Sequence, residues 1–545
     1  MSRSLFTPFR RKPPYICPQC LHTRKPLPSP IPRRAFHLSS PREQQSSNLL
    51  ALLETRGFIH QIAGDRHLLS TLLSRRKLRF YAGVDPTAPS LHLGHLLPLM
   101  LLFWLTLHGH QAVSLVGGAT ARVGDPSGRL TARVQTAAHV RTSDAKAMFA
   151  QTEALWRNVR ECAARRGWRE EEMGAYEVLD NGRWLDELGI LDFLQTMGNG
   201  MRLGAMLGRD TVRNKMEKGD GMSFAEFTYP LLQAWDWWHM YNTLGVQVQI
   251  GGSDQYGNIV AGMDAVRYIA QTHQDADTRA RWLDGEGRLN EDLAPMGLTV
   301  PLLTTASGEK FGKSAGNAIW LDPRLTSPFD LYGFLLRSSD ADVERYLNLF
   351  TFLPTDIIAS TMSAHNLDPG KRKAQHLLAS EVLELVHGRD EALKTRAQHE
   401  ALRNPTLASF SSPSSSDASQ AETSSNEAWI RLPQSLLLGA PSYAHVLFHA
   451  GLAPSKSEGA RMIAKGGVYV ASSEAYANVD NGERQQEVVW TQIKDAKAAV
   501  VDTALLNGLL MLRLGKWKVR VIQMVPDDQQ GVDAGVASSA RTAQG

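Results

Sequence analysis

From Leu78 onward the chain alternates short apolar stretches with longer stretches of helical periodicity, and each short stretch runs into a polar or glycine-rich loop. This rhythm predicts a parallel α/β sheet, because neighbouring parallel strands need a crossover connection that is usually a helix. Arg79 to Val84 reads as a first strand, Val113 to Val116 as a second that runs into Gly117-Gly118, and Val246 to Ile250 as a later one entering Gly251-Gly252. Ser90 is the expected N-cap of a helix that ends near Gly109. Within it, Leu96 to Leu107 is strongly apolar, but twelve residues containing Pro98 are too short to cross a bilayer, so a buried helix with a local bend is expected and no membrane partner. In open α/β sheets ligands bind beyond the carboxyl ends of the strands, so the loops after these strands are where function is sought.

Beyond Ser338 the pattern turns helical and charged as far as Arg403. Residues 404–428 are rich in Ser, Ala and Thr and read as a linker, because such a composition buries no core. Apolar periodicity resumes at Trp429 and supports one small domain over 429–526, with a frayed tail at 527–545. At the other end, residues 1–42 hold nine Lys or Arg and no Asp or Glu. That is the composition of an organellar transit segment, and it predicts delivery to the mitochondrial matrix. Without those nine cations the net +4 of the whole chain becomes negative, so nucleic acid must be held by local basic patches. Cys17, Cys20 and Cys162 are the three cysteines; one Cys-x-x-Cys pair without a second does not make a four-thiolate zinc site, and no protein-held metal is expected.

Two segments carry chemistry. His92-Leu93-Gly94-His95 stands just after a strand at a helix start, where unpaired N–H groups and the helix dipole favour phosphate, and Gly94 leaves room for a flat ring. About 215 residues later Lys310-Phe311-Gly312-Lys313-Ser314 puts two lysines and a hydroxyl on a glycine-containing loop able to close on a polyphosphate. In this order the pair resembles the two signatures of class I aminoacyl-tRNA synthetases. The run Tyr81 to His92, Gly117 to Thr120 with Gly124 to Gly128, Ser223 to Tyr229 with Leu232 to Asp236, and Gln249 to Gln255 narrow the resemblance to tyrosyl-tRNA synthetases, over residues from about 75 to 405 and more weakly beyond.

That resemblance implies a doubly wound, Rossmann-like parallel-sheet catalytic domain over 43–337, a helical anticodon-side domain over 338–403, and a small S4-like RNA-binding domain. It implies L-tyrosine, ATP with Mg2+ and tRNA(Tyr) as partners, and a homodimer. Tyr81 and Asp236 would hold the substrate phenol. Asp125, Tyr229 and Gln233 would surround its ammonium group with Thr120 and Asn181 in support, Gln249 would steady the pocket, and Asp85 belongs to the same tyrosine-binding set. Gly252 and Asp254 would take the ribose, Gln255 the region of the carboxylate and α-phosphate. Thr87, His92, Lys310, Lys313 and Ser314 would stabilise the departing phosphates, with Gly94 and His95 nearer the nucleoside. Lys456, Arg461 and Lys465 would form a basic RNA-binding face, and Arg513, Lys516, Lys518 and Arg520 a second patch.

Tyr256 departs from the family pattern, which has tryptophan after the Asp-Gln pair, and Thr272 to Gly297 is longer and more polar than in compact relatives. Two rival readings share the scaffold: a tryptophan-specific enzyme, and an RNA-stabilising splicing cofactor. The combination of Tyr81 with Asp236 argues against the first. The intact His-x-Gly-His and Lys-x-x-Lys-Ser segments argue against a pure binder, though not against a second RNA role beside charging.

Overall fold

The structure, a computed structural model, describes residues 48–127, 137–219, 221–304, 313–314, 317–403, 429–438, 442–472, 489–495, 497, 505–506, 509–515 and 518–527. Six strands form the first sheet: β1 (Gln61–Ala63), β2 (Arg79–Val84), β3 (Gln111–Val116), β4 (Tyr176–Asp180), β5 (Val246–Gly252) and β6 (Met296–Val300), in the order β1-β6-β5-β2-β3-β4. β2 to β6 are parallel, and β1 closes the edge antiparallel to β6. The strand read as first is therefore the first of the parallel run but the second in the chain. β1, β4 and β6 are absent from the sequence reading; β1, Gln61-Ile62-Ala63, is three residues long at an edge and has no apolar run to announce it.

The chain enters the sheet's centre at β2, builds outward through β3 and β4, then returns to β2's other side as β5 and β6. The crevice where the winding reverses lies beyond β2, β3 and β5, and the glycine-rich loops open there. Behind the sheet the helix Leu93–Leu107 is apolar on every side, and twelve of its fifteen residues are buried, as such a helix requires. It runs continuously through Pro98. Ser90 is not its cap. The Ser90 hydroxyl donates to the Leu91 carbonyl (2.8 Å) and accepts from the Asp322 amide (3.1 Å), while His92 caps the helix. Among the described residues no helix is long and apolar enough to cross a membrane.

Most of the polar stretch 272–297 folds against the amino end of β5, while its last two residues, Met296 and Gly297, begin β6 and pair with Val248 and Gln249. Trp282 of the helix Ala276–Trp282 lies 4.2 Å from the Tyr241 ring, and Gln247 donates to the carbonyls of Asp292 and Ala294 (2.9 Å each).

Helices Pro328–Leu336, Val343–Phe350, Thr355–Asn366, Lys373–His387 and Arg389–Arg403 follow the sheet, and their apolar faces join the core around Leu93–Leu107. Arg56, at the end of the helix Leu49–Arg56, fastens three elements together. Its buried guanidinium donates to the carbonyls of Asn348 (2.9 Å) and Leu353 at the carboxyl end of Val343–Phe350, and lies 4.1 Å from the Trp104 ring centre. Burial lowers its pKa to about 9. Carbonyls at a helix's carboxyl end are the natural partners of a cation.

The C-terminal segment makes a second sheet from β9 (Trp429–Pro433), β10 (Val468–Ser472), β11 (Val489–Gln492), β12 (Leu505–Leu506), β13 (Leu509–Leu514) and β14 (Lys518–Val525), after the hairpin strands β7 (Lys313–Ser314) and β8 (Asn317–Ala318). Its main path is β11-β10-β13-β14-β9, antiparallel except for β14 with β9. Helices Tyr443–His449 and Lys456–Ala464 cover one face through Val446, Leu447 and Ile463 against Leu510, Leu512 and Ile522.

Replacing Arg56 with Ala leaves buried carbonyls without a donor and opens space beside Trp104. The expected loss is about 3 kcal/mol, read from the midpoint of chemical denaturation.

Candidate active site

The crevice is lined by a chain of hydrogen bonds that joins three loops and a helix. Trp184 Nε1 donates to Asp236 Oδ1 (2.7 Å), and Asn181 Nδ2 donates both to Asp236 Oδ2 and to Thr120 Oγ1 (2.9 Å each). Thr120 Oγ1 donates to Asp85 Oδ1 (2.7 Å), and Tyr229 Oη donates to Asp85 Oδ2 (2.7 Å). The residues come from the loops after β2, β3 and β4 and from the helix Phe224–Leu244, where Tyr229, Gln233 and Asp236 share one side at spacings of four and three. A side chain at Gly117 is excluded, because its Cβ would fall 2.0 Å from Asp85 Oδ1 and 2.3 Å from Thr120 Oγ1.

A second chain runs beside the first. Gln255 Nε2 donates to Asp125 Oδ2 (2.7 Å), whose other oxygen accepts from the Ser127 amide (2.9 Å). Gln233 Nε2 reaches Gln255 Oε1 (3.3 Å), and Asn258 Nδ2 ties Gln233, Gln255 and Ser127 together at 3.1–3.2 Å.

Where these chains meet the end of the sheet, two buried polar atoms have no hydrogen-bond partner: Tyr81 Oη and Gln249 Oε1. They are neighbours by register, since Tyr81 on β2 stands opposite Gln249 on β5. Burial, and then the charge of Asp236, holds the Tyr81 phenol well above the ordinary tyrosine range. Burial also pushes the Asp236 carboxyl up to about 8, against the pull of its Asn181 and Trp184 donors, with Asp85 and Asp180 adding to the rise. The buried Asp236 carboxyl is thus near enough to act on the Tyr81 phenol, and Tyr81 stands beside Gln249 on the neighbouring strand.

At the other side of the crevice His92 and His95 are stacked, with ring centres 3.7 Å apart. His92 Nδ1 accepts from the Gly94 amide (3.0 Å) and His95 Nδ1 from the His92 amide (3.3 Å). The ring that Gly94 makes room for is therefore that of His92, since a Cβ there would lie 2.8 Å from its Cε1. The Leu93 amide donates to the Ile319 carbonyl (3.1 Å), the Leu321 amide to the Leu91 carbonyl (2.8 Å), and His92 bridges Trp320. In β7, Lys313 and Ser314 pair with Ala318 and Asn317 of β8, which directly precedes Ile319. Lys310, Gly128 and Lys516 lie outside the described residues, as do residues 1–42, the linker 404–428 and all but one residue of the tail. Thr87 closes the turn after Asp85, its amide N–H donating to the Asp85 carbonyl (2.8 Å), and Gly252 and Asp254 stand where β5 gives way to the helix Tyr256–Thr272.

The sequence-derived residues Tyr81, Asp85, Thr120, Asp125, Asn181, Tyr229, Gln233, Asp236, Gln249 and Gln255 thus come together. Asn181 does more than expected, bridging Thr120 to the buried Asp236. Trp184 and Asn258 were not foreseen. Their signals were the spacing of Trp184 three residues after Asn181, and of Asn258 three after Gln255, each on one turn of helix. Away from the crevice, Lys456, Arg461 and Lys465 are all exposed. Arg461 and Lys465, four apart, share a side of their helical segment, while Lys456 begins the helix on another side.

Comparison with known proteins matches residues 73–403 to the family model of class I (W and Y) tRNA synthetases, and residues 420–536 to the tyrosyl-tRNA synthetase C-terminal domain. The chain is 43% identical over 490 residues to a mitochondrial tyrosine–tRNA ligase of Podospora anserina, covering 87% of this chain and 74% of that one. It is 36% identical to the human mitochondrial tyrosine–tRNA ligase over 488 residues, covering 88% and 92%. A C-terminally truncated mitochondrial tyrosyl-tRNA synthetase of Aspergillus nidulans superposes with a TM-score of 0.61 at 44% identity, over 67% of this chain and 97% of that one.

The raised Asp236 pKa has a consequence for stability. The fold binds a proton there up to about pH 8, whereas the unfolded chain releases it near an ordinary carboxylate pKa of ~4. Wild-type stability should therefore fall, relative to Asp236→Asn, as pH rises between those values, and the difference should level off above the higher one. Thermal unfolding of ligand-free protein from about pH 5 to about pH 9 measures it. A difference that stays constant with pH removes the buried proton from this site.

Proposed function

We propose, from the premise that this chain belongs to the class I tyrosyl-tRNA synthetases, a division of labour among its crevice residues. The protein activates tyrosine with ATP and joins it to tRNA. A tyrosine carboxylate oxygen attacks the α-phosphorus, the bond to the bridging oxygen breaks, and pyrophosphate leaves with the electron pair. The terminal ribose of tRNA then attacks the adenylate carbonyl and releases AMP. No side chain need act as a nucleophile, so the protein contributes positioning and charge stabilisation.

The observation that carries the tyrosine assignment is the partnerless Tyr81 Oη beside the buried Asp236. Asp236 accepts a hydrogen bond from the substrate phenol, and Tyr81 completes the phenol's hydrogen bonding. Trp184 and Asn181 each donate to one Asp236 oxygen and hold the carboxyl in place. Asp125, Tyr229 and Gln233 surround the ammonium group, and Asp85 fixes Tyr229 through the 2.7 Å bond. Gln249 steadies the wall, Gly252 and Asp254 take the ribose, and Gln255 serves the carboxylate and α-phosphate. ATP enters as its Mg2+ complex, since Mg2+ prefers phosphate oxygens and water to an all-protein cage. His92, Thr87, Lys310, Lys313 and Ser314 stabilise the leaving pyrophosphate, and His95 lies nearer the nucleoside.

The test is tyrosine-dependent pyrophosphate exchange, with phenylalanine and tryptophan as competitors. Tyrosyl-tRNA synthetase is itself the standard worked example of tyrosine-over-phenylalanine selection, roughly 10⁵, so that figure is borrowed. Asp236→Ala should lose most of the selectivity and Tyr81→Phe only part of it, because Asp236 still accepts in the second variant. An unchanged tyrosine-to-phenylalanine ratio in Asp236→Ala sinks the assignment.

The protein works as a homodimer. Ile190, Leu191, Leu194, Leu203, Leu207 and Phe224 are large, apolar and exposed within one short stretch of chain, which is the signature of a covered face. Leu191→Asp combined with Leu203→Asp should halve the mass measured by sedimentation; an undiminished mass moves the interface elsewhere. The C-terminal segment docks tRNA through Lys456, Arg461 and Lys465, because exposed cations on a helix suit the RNA backbone. Kinship with mitochondrial enzymes makes this a mitochondrial protein, and the basic, acid-free residues 1–42 favour the matrix.

A further inference from the structure

Strands β9 to β14 contain Arg431, Arg513, Lys518 and Arg520 and not one Asp or Glu. One face of this sheet is covered by helices. Side chains alternate along a strand, so the residues between the core positions turn to the other face. Arg513 lies between the core residue Leu512 and Leu514, and stands opposite Tyr469 of β10. Trp490 of β11 stands opposite Ala471, two residues along from Tyr469, and so belongs to the same face. With the buried Ala471, Met511 and Val521 it forms a small apolar patch distinct from the main core.

The Arg513 guanidinium lies over both rings, 4.5 Å from the centre of Tyr469 and 4.8 Å from that of Trp490. Tyr469, Trp490 and Arg513 are half-buried, and Arg431 on β9 is exposed. Among the described residues Arg513 has no carboxylate partner, and its Nε is buried without a hydrogen bond. Packing explains a hydrophobic residue here more simply than a cation. A guanidinium kept between two rings on an acid-free sheet is instead suited to an anion that also offers flat faces.

We propose that this outer face is a stacking platform for unpaired RNA nucleotides, with Tyr469 and Trp490 receiving bases and Arg513 and Arg431 meeting the backbone. The proposal deepens the reading that the C-terminal segment docks tRNA, and is separate from the helical side of Arg461 and Lys465. Duplex RNA does not fit this chemistry, because its bases are already stacked and it is recognised by shape and backbone. Splayed bases offer the ring faces that aromatic side chains bind.

The experiment uses the full chain and fluorescence anisotropy with a ~10-nucleotide oligouridine and an RNA duplex of the same length. Trp490→Leu and Arg513→Leu should each bind oligouridine about 5- to 100-fold more weakly while duplex affinity holds. Arg513→Lys, which keeps the charge but not the planar group, should also weaken binding, and Tyr469→Phe should retain it. Thermal unfolding checks that each variant is folded. Equal oligouridine affinity in wild type and folded Arg513→Lys and Trp490→Leu overturns the platform, including the case in which a protein occupies this face. The docking reading is judged separately, by tRNA charging in a Lys456→Ala, Arg461→Ala, Lys465→Ala variant. Loss of charging there with unaltered oligouridine binding in the sheet variants would leave docking standing and the platform rejected.

Discussion

Parallel pairing of β2 with β5 at the middle of the sheet governs everything built on it. Parallel strands cannot be joined by tight turns, so the chain must leave the sheet and return over its faces. Every parallel strand then ends at the same edge. Tyr81 and Gln249 become neighbours by register, although 168 positions of sequence numbering separate them. The loops after β2, β3 and β4 supply Asp85, Thr120 and Asn181 to one crevice from three separate places in the chain.

The crevice concentrates polar groups where water is scarce, and this arrangement costs stability. Asp236 is buried with two donors on its oxygens, yet burial outweighs those bonds and raises its pKa. Tyr81 Oη and Gln249 Oε1 carry the penalty of unsatisfied buried atoms. The remainder of the core is conventionally apolar, with the all-round hydrophobic helix Leu93–Leu107 pressed beneath the sheet and Arg56 joining the helical region to it. Strain of this kind is expected where a ligand's own groups complete the hydrogen bonding.

Much of this was legible in the sequence. β2, β3 and β5 announced themselves because each is an apolar run that stops at a glycine or polar loop. β1 did not, since a three-residue edge strand has no periodicity. Ser90 was misread as a cap for a sound local reason, as serine is a favoured N-cap, but its hydroxyl is engaged by Leu91 and Asp322 and a histidine ring does the capping. Tyr81, Asp236 and the residues around the ammonium position could be chosen from their motifs. Their partners could not, because the bond between Asp85 and Tyr229 spans 144 residues and depends on tertiary folding. Trp184 escaped because a tryptophan reads as core, and only the folded chain reveals its indole N–H aimed at Asp236.

The paired caps at His92 and His95 fix something that neither sequence nor charge could have specified. In both rings Nδ1 accepts a backbone hydrogen, so in the neutral form the ring hydrogen must sit on Nε2. The helix start has therefore selected one tautomer for each imidazole.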